Sequence, residues 1–506
     1  MVNSPPKATP QSLSSRASRG FVWFFLQTLG SKGVAIAAQI ILARLLSPHD
    51  FGLVTLAYAT ATIPGVLQMS GITQILVARQ KQFRRWLPAA FWFELLLGGT
   101  AGIGMLIAAP IGSAVFHAPI TGLAMVIAIG AFIAPLASIP NAAMMIDLRF
   151  RNLAAVGLVS NIGTSVLCVL LAWWGFGAYS FVIPIPLARL GSAIALWWME
   201  RRHLRPALRG FTVARWGVLT RDTALLLGGS LAYNLTGLLW RVVLRIFEPV
   251  AAVGEYFFAS MLSSQVGQLL SQNLSSVLFP SLSKLQDQPQ RQRTAFYRAS
   301  SIILLVAVPL CFMEAFLARP LVSLIFPAKW LPAVPALQLL ALASIFSALA
   351  STLGNLMQAQ RRYKLNLVFS LTALVGLLPL AVFGTWKFGI TGMAGAMLLQ
   401  GAVSVPIGMA LAAGQGGKID WFGPIRVLAP TLTAGGAAGA LAWGLMRLWP
   451  ATRTSYPLDI VGFSAIFIPA YLGGARMLCP EAMRELFQRL ADLRRSNEQC
   501  GRKGDD

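Results

Sequence analysis

Apolar runs long enough to cross a bilayer recur along the chain, separated by short polar connections. They lie near residues 21–42, 51–77, 87–109, 120–141, 153–174, 179–199, 223–244, 250–278, 300–318, 333–357, 365–384, 389–413, 425–446 and 457–478. Backbone polar groups in hydrocarbon must be satisfied within the segment, and runs of about 20 residues are far longer than barrel strands. The pattern therefore predicts an all-α integral membrane protein with about fourteen transmembrane helices.

The first turn of the chain carries a phrase that returns later. In Leu42 to Ala57, Arg44 closes the first run, Pro48 stops a helix, and Gly52 follows where a side chain would crowd the turn. Arg245, Pro249, Gly254 and Ala259 repeat it. In both copies Arg precedes Pro by four and Gly precedes Ala by five, while the Pro-to-Gly gap is four in one and five in the other. Such a repeat predicts two lobes made of duplicated halves, at 20–199 and 223–413, with Pro48 and Pro249 at equivalent outer turns. Residues 1–19 form a Ser- and Pro-rich cytoplasmic arm, 200–222 a basic cytoplasmic linker, and 414–478 two further spans. In the tail, 479–506, Met483, Leu486, Phe487 and Leu490 share one face of an amphipathic helix.

Composition agrees with the membrane reading. The 506 residues are 56% apolar and 11% charged, with mean hydropathy +0.67; a soluble domain carries about 25% charged residues. The net charge of +24 raises nucleic acid as a partner, but its placement does not. With the N-terminus inside, 31 of the 41 Lys and Arg fall on cytoplasmic segments, counting Arg426 and Arg476 at the cytoplasmic ends of their spans, and 7 on outer connections. That is the positive-inside asymmetry of a multi-pass inner-membrane protein with both termini cytoplasmic, and nucleic-acid binding drops out. Four cysteines and three histidines show neither framework nor metal spacing, so no metal, cofactor or catalytic group is expected.

Polar residues inside the spans need a reason, because a charge at mid-bilayer costs roughly 2.5–3.5 kcal/mol on insertion scales. Lys32 and Arg189 lie about halfway through their spans, and Thr28, Lys32 and Gln39 share a helical face. Asn234 and Arg241 are seven apart in a third span; Gln265, Gln268, Gln272 and Ser275 form a stripe, as do Ser344, Ser351, Asn355 and Gln358. Two readings stand for the stripes: lining of a polar cavity, or hydrogen-bonding glue between packed helices. Glu94 falls in the inner third of its span, and Glu255 and Glu314 lie toward the outside, with Arg241 or Arg245 the expected partner of Glu255. Pro64 beside Gly65 marks a hinge or a static kink.

The segment Ala43-Arg44-Leu45-Leu46-Ser47-Pro48-His49-Asp50-Phe51-Gly52-Leu53 resembles the opening signature of bacterial polysaccharide transporters, the Wzx-type flippases. Phe279 to Gln286 and Lys329 to Pro335 are similar to later segments of that family, and the likeness runs over most of 20–413. It implies the fold of the multidrug, oligosaccharidyl-lipid and polysaccharide exporters: two six-helix lobes around a central cavity plus two C-terminal helices. It also implies alternating-access transfer of a polyprenyl-pyrophosphate-linked oligosaccharide across the inner membrane for capsule, exopolysaccharide or O-antigen synthesis. Membrane lipid and the polysaccharide polymerase and export proteins are the implied partners, and no enzyme chemistry is expected. Lys32 and Arg189 would meet the pyrophosphate, and the Gln and Asn stripes the sugar hydroxyls. The alternatives are a cation-coupled multidrug exporter and a non-transporting scaffold of the polysaccharide machinery.

Overall fold

A computed structural model describes residues 30–204, 213, 215–285, 287–360, 362–414, 419–448, 456–480 and 483–484. Among them all regular structure is helical. The α-helices are α1 (30–45), α2 (Pro48–Gly65), α3 (Ile72–Ala78), α4 (Phe83–Phe116), α5 (Thr121–Ile133), α6 (Pro135–Ile146), α7 (Phe150–Trp173), α8 (Tyr179–Val182) and α9 (Pro184–Leu204). They continue with α10 (Trp216–Phe247), α11 (Val250–Lys284), α12 (Pro289–Ile325), α13 (Val334–Ala359), α14 (Tyr363–Ala413), α15 (Phe422–Leu448) and α16 (Tyr456–Leu478). Each of the fourteen expected runs coincides with helix where described, with breaks at Ser70–Gly71 inside 51–77 and at Ala134 inside 120–141. By length and apolar content, nine of these stretches qualify as membrane spans among the described residues, ten if the bent pair α5–α6 is one span. Large apolar side chains such as Ile107, Val115, Val375 and Phe383 are exposed along them, as lipid-facing positions require.

The chain divides into two compact units, 1–246 and 247–506. The boundary falls at the end of α10, one helix beyond the expected linker 200–222, of which residues 205–212 and 214 lie outside the described residues.

In the first unit α2 packs on α4 and α5, and α4 on α5 and α6. α9 packs on α5, α6 and α7. Two of its spans are broken. The first leaves α2 at Gly65, passes through a 3-10 turn at Val66–Met69, and restarts at α3 after Gly71, whose φ of +67° suits a residue without a Cβ. The second bends by 41° between α5 and α6. Pro135 and Pro140 lack an N–H, which frees the carbonyls of Ala131 and Leu136. The indole Nε1 of Trp197 donates to the Leu136 oxygen at 2.7 Å and repairs one of these losses.

In the second unit α13 packs on α11, α12 and α14, and α12 also packs on α15 and α16. The core joins Leu304, Val308, Leu349, Met409 and Phe467. Gly435 and Gly439 let α15 approach α12 closely, since a Cβ there would strike Val308 and Phe316. Phe463, Phe467 and Tyr471 stack along α16, and the Tyr471 hydroxyl donates to the Leu305 carbonyl at 3.1 Å. The long element α14 turns at Gly389 (φ +60°, ψ −140°), one residue past the connection expected between the runs 365–384 and 389–413. Gly384 and Gly392 meet backbone to backbone across it. α12 is much longer than the apolar run 300–318, because its polar first turns still bury Gln292 and Phe296.

The repeated phrase has a structural counterpart in each unit. Ser47 and Asp50 form a reciprocal capping box, and Pro48 is the first residue of α2; Pro249 caps α11, which begins at Val250. Counted from the first helical residue, Gly52 and Gly254 occupy the same position, and the unequal Pro-to-Gly gap disappears. Phe51, Val54, Leu56 and Ala57 then match Val253, Tyr256, Phe258 and Ala259, all at most 1% exposed.

Candidate functional site

A cavity of about 620 Å³ opens within the first unit. Its walls come from both broken spans and from α4, α9 and α10. Tyr58, Thr62, Gly65, Gln68 and Met69 supply the first broken span, and Ile127, Ala134 and Ala137 the second. Arg189 and Ser192 come from α9, Asn234 and Arg241 from α10. Two arginines therefore share one cavity, and no carboxylate is among its lining residues.

The geometry of Arg189 follows from the bend beside it. Its Nη1 donates to the Gly130 carbonyl at 2.9 Å and to Gln68 Oε1 at 3.3 Å. Gly130 has the space for this: a Cβ there would stand 3.4 Å from Nη1. The half-buried guanidinium thus keeps donors for a ligand while its carbon stem packs against the wall. Arg241 lies over the ring of Trp240, with its guanidinium carbon 4.8 Å from the centroid, and Gly237 one turn earlier leaves room beside Nη1. Asn234 donates to Met69 Sδ at 3.5 Å and carries its amide to the same wall.

The other predicted residues are dispersed. Lys32 and Gln39 are half-buried on α1 and are not among the cavity's lining residues. The Lys32 ammonium is shielded from solvent, with no hydrogen-bond partner among the described residues. Gln265, Asn355 and Gln358 belong to the second unit; Gln358 is exposed and the other two half-buried. The side chains of Gln268, Gln272 and Ser275 lie outside the described ones. In the α13 stripe, Ser344 donates to the Ser263 carbonyl on α11 at 3.1 Å, and Ser351 to Ala348 on its own helix at 2.8 Å. Those two hydroxyls serve packing. The expected ion pair of Glu255 does not form among the described residues, and Arg245 instead donates to the Phe116 carbonyl at 2.8 Å. Tyr58 and Gln68 were not singled out from sequence, although a Gln inside an apolar run was the available signal.

Helical spans, two of them broken beside a polar cavity, define a multi-pass helical membrane fold. Solved structures share it: "Lipid II flippase MurJ, inward closed conformation" has a TM-score of 0.71 at 14% identity, covering 91% of this chain and 100% of that one. An inward-facing multidrug resistance MATE family transporter of the MOP superfamily has a TM-score of 0.62 at 16% identity, covering 80% and 95%. Residues 41–335 match the model of the family described as polysaccharide biosynthesis protein, and the chain belongs to that family, as the motif at Ala43 to Leu53 implies. Its relatives include the succinoglycan biosynthesis transport protein ExoT of Rhizobium meliloti (strain 1021), 25% identical over 66% of this chain and 67% of that one. The lipopolysaccharide biosynthesis protein WzxC of Escherichia coli (strain K12) is 22% identical over 77% and 79%.

Proposed function

We propose that the protein flips a polyprenyl-pyrophosphate-linked oligosaccharide across the inner membrane by alternating access, and that Arg189 and Arg241 hold the pyrophosphate. One observation carries this reading: two arginines and an asparagine face one cavity whose lining contains no acid among the described residues. A pyrophosphate presents concentrated negative charge, and guanidinium groups engage phosphate oxygens in paired hydrogen bonds. A cavity for cationic drugs would instead offer a buried carboxylate, so the lining argues against the multidrug alternative. Gln39, Gln265, Gln268, Gln272, Asn355 and Gln358 remain candidates for the sugar hydroxyls, and Lys32 for a second anion contact. Both termini and the 200–222 linker are cytoplasmic, and two six-helix lobes flank the transport path.

The test is flipping of a fluorescent lipid-linked oligosaccharide in proteoliposomes. Arg189→Gln and Arg241→Gln are each expected to lower the rate at least tenfold while the protein inserts normally. Wild-type rates in the double variant would end the assignment, and the absence of flipping by the wild type would support the scaffold reading.

A further inference from the structure

A second, smaller cavity of about 130 Å³ lies in the first unit and shares no lining residue with the one described above. It forms where α4 begins and where α6 and α9 end. Phe83, Leu87 and Ile146 make part of its lining apolar, while Arg84, Asp147 and Glu200 bring charge of both signs. α6 packs on both α4 and α9, and the rings of Phe91 and Trp197 meet edge to face between α4 and α9. The three helix ends are thus held together.

Glu200 is 1% exposed and accepts from Arg149 Nη1 at 2.7 Å. The same arginine approaches Asp147 at 3.6 Å, an ion pair too long to be a hydrogen bond. One guanidinium is therefore shared by two carboxylates, and half of the Asp147 side chain stays open. Backbone hydrogen bonds from Leu148 to Met145 and from Arg149 to Met144 close the turn after α6 and fix both residues there. From α4, Arg84 is exposed and forms no ion pair among the described residues. A small cavity so receives an arginine from one helix and carboxylates from the ends of two others.

Tryptophans mark its depth as that of the lipid headgroups. Trp86 follows Arg84 by two residues and Trp198 precedes Glu200 by two, and tryptophan collects at membrane–water interfaces. Ile194 and Trp198 on α9 are 60% and 66% exposed, an apolar face available to acyl chains.

We propose that this cavity binds a zwitterionic lipid headgroup with a primary ammonium, that of phosphatidylethanolamine. The ammonium donates to Asp147 and is further attracted by Glu200, and the phosphate takes the guanidinium fork of Arg84. Phosphatidylcholine has the same charges but no N–H to donate. Phosphatidylglycerol has the phosphate but brings no cation to the carboxylates. A divalent cation is repelled by Arg149, which already contacts both acids. The bound lipid ties the end of the bent pair α5–α6 to α4 and α9.

Native mass spectrometry of the full chain, titrated with each of the three lipids bearing the same acyl chains, measures the affinity of the tightest-bound molecule. The wild type is expected to bind phosphatidylethanolamine about tenfold more tightly than either other lipid, the factor that one charge-assisted hydrogen bond supplies. Asp147→Asn, at an exposed position that folding does not depend on, should remove most of this difference and leave phosphatidylcholine binding unchanged. Arg84→Gln should weaken both lipids alike. Equal affinities for the three lipids in the wild type overturn the proposal, and so does a tenfold difference that survives Asp147→Asn. Displacement of the lipid by an equal concentration of soluble phosphoethanolamine would give the site to a soluble ligand and likewise overturn it. None of these outcomes depends on whether the protein flips an oligosaccharide.

Discussion

At the scale of residues, the arginines differ in what holds them. Arg189 is seated by a carbonyl and an amide oxygen, Arg241 by an indole face. Arg189→Lys keeps the charge but loses the planar fork that can reach Gly130 and a ligand together, so it should transport more slowly than the wild type and faster than Arg189→Gln. Initial flipping rates in proteoliposomes check that order. Sequence spacing placed Arg189, Asn234 and Arg241 in membrane spans, and these three do share a cavity. It could not show that Lys32, equally deep in its own run, stands outside that lining, because a side chain's direction depends on which helix packs beside it. Nor could it join Arg84, Asp147 and Glu200, which lie at the ends of three elements brought together only by tertiary packing.

At the scale of elements, one end of the first unit is fastened around one tryptophan. The guanidinium of Arg79 lies 4.3 Å from the Trp86 ring centroid and that of Arg215 5.3 Å. Arg79 also pairs with Asp222 at 2.5 Å, Arg215 donates to the Arg85 carbonyl, and Trp216 Nε1 donates to Ala89 at 3.2 Å. Both members of the ion pair are about a third exposed, so solvent screens it and it contributes roughly 0–1 kcal/mol. Arg79→Ala also loses the ring contact, worth about another 0.5–1 kcal/mol. Thermal unfolding in detergent should therefore rank Arg79→Ala below Asp222→Asn; equal melting points would mean that the stacking contributes nothing. A second expectation concerns α15. Gly439→Leu must push Phe316 aside, an overpacking that costs about 1–3 kcal/mol, and the melting temperature should fall. Prolines and glycines made many of the breaks legible, among them Pro64–Gly65 and the turn before Gly389. The extension of α12 to Pro289 was not, since its first turns bury side chains without being apolar overall.

At the scale of the whole molecule, the basic asymmetry predicts orientation. In a background without the native cysteines, Pro119→Cys should react with an impermeant maleimide from outside intact cells and Lys81→Cys should not; both side chains are exposed. The opposite labelling pattern would invert the topology. Hydropathy revealed where helices run, but not where the chain divides into compact units, which contacts between helices decide.

The matched burial of α2 and α11 bears on where the chain tolerates a change of length. The two copies differ by one residue between Pro and Gly, and that difference falls before the first helical turn rather than after it. Inside the helix, one extra residue would rotate everything downstream by about 100°. With the extra residue after Leu53, Val54, Leu56 and Ala57 would then swing out of their seats together. Insertions in this fold are therefore absorbed in the hinge-like connection and refused a few residues later. An alanine insertion between Leu46 and Ser47 should leave export intact, while the same insertion between Leu53 and Val54 should abolish it.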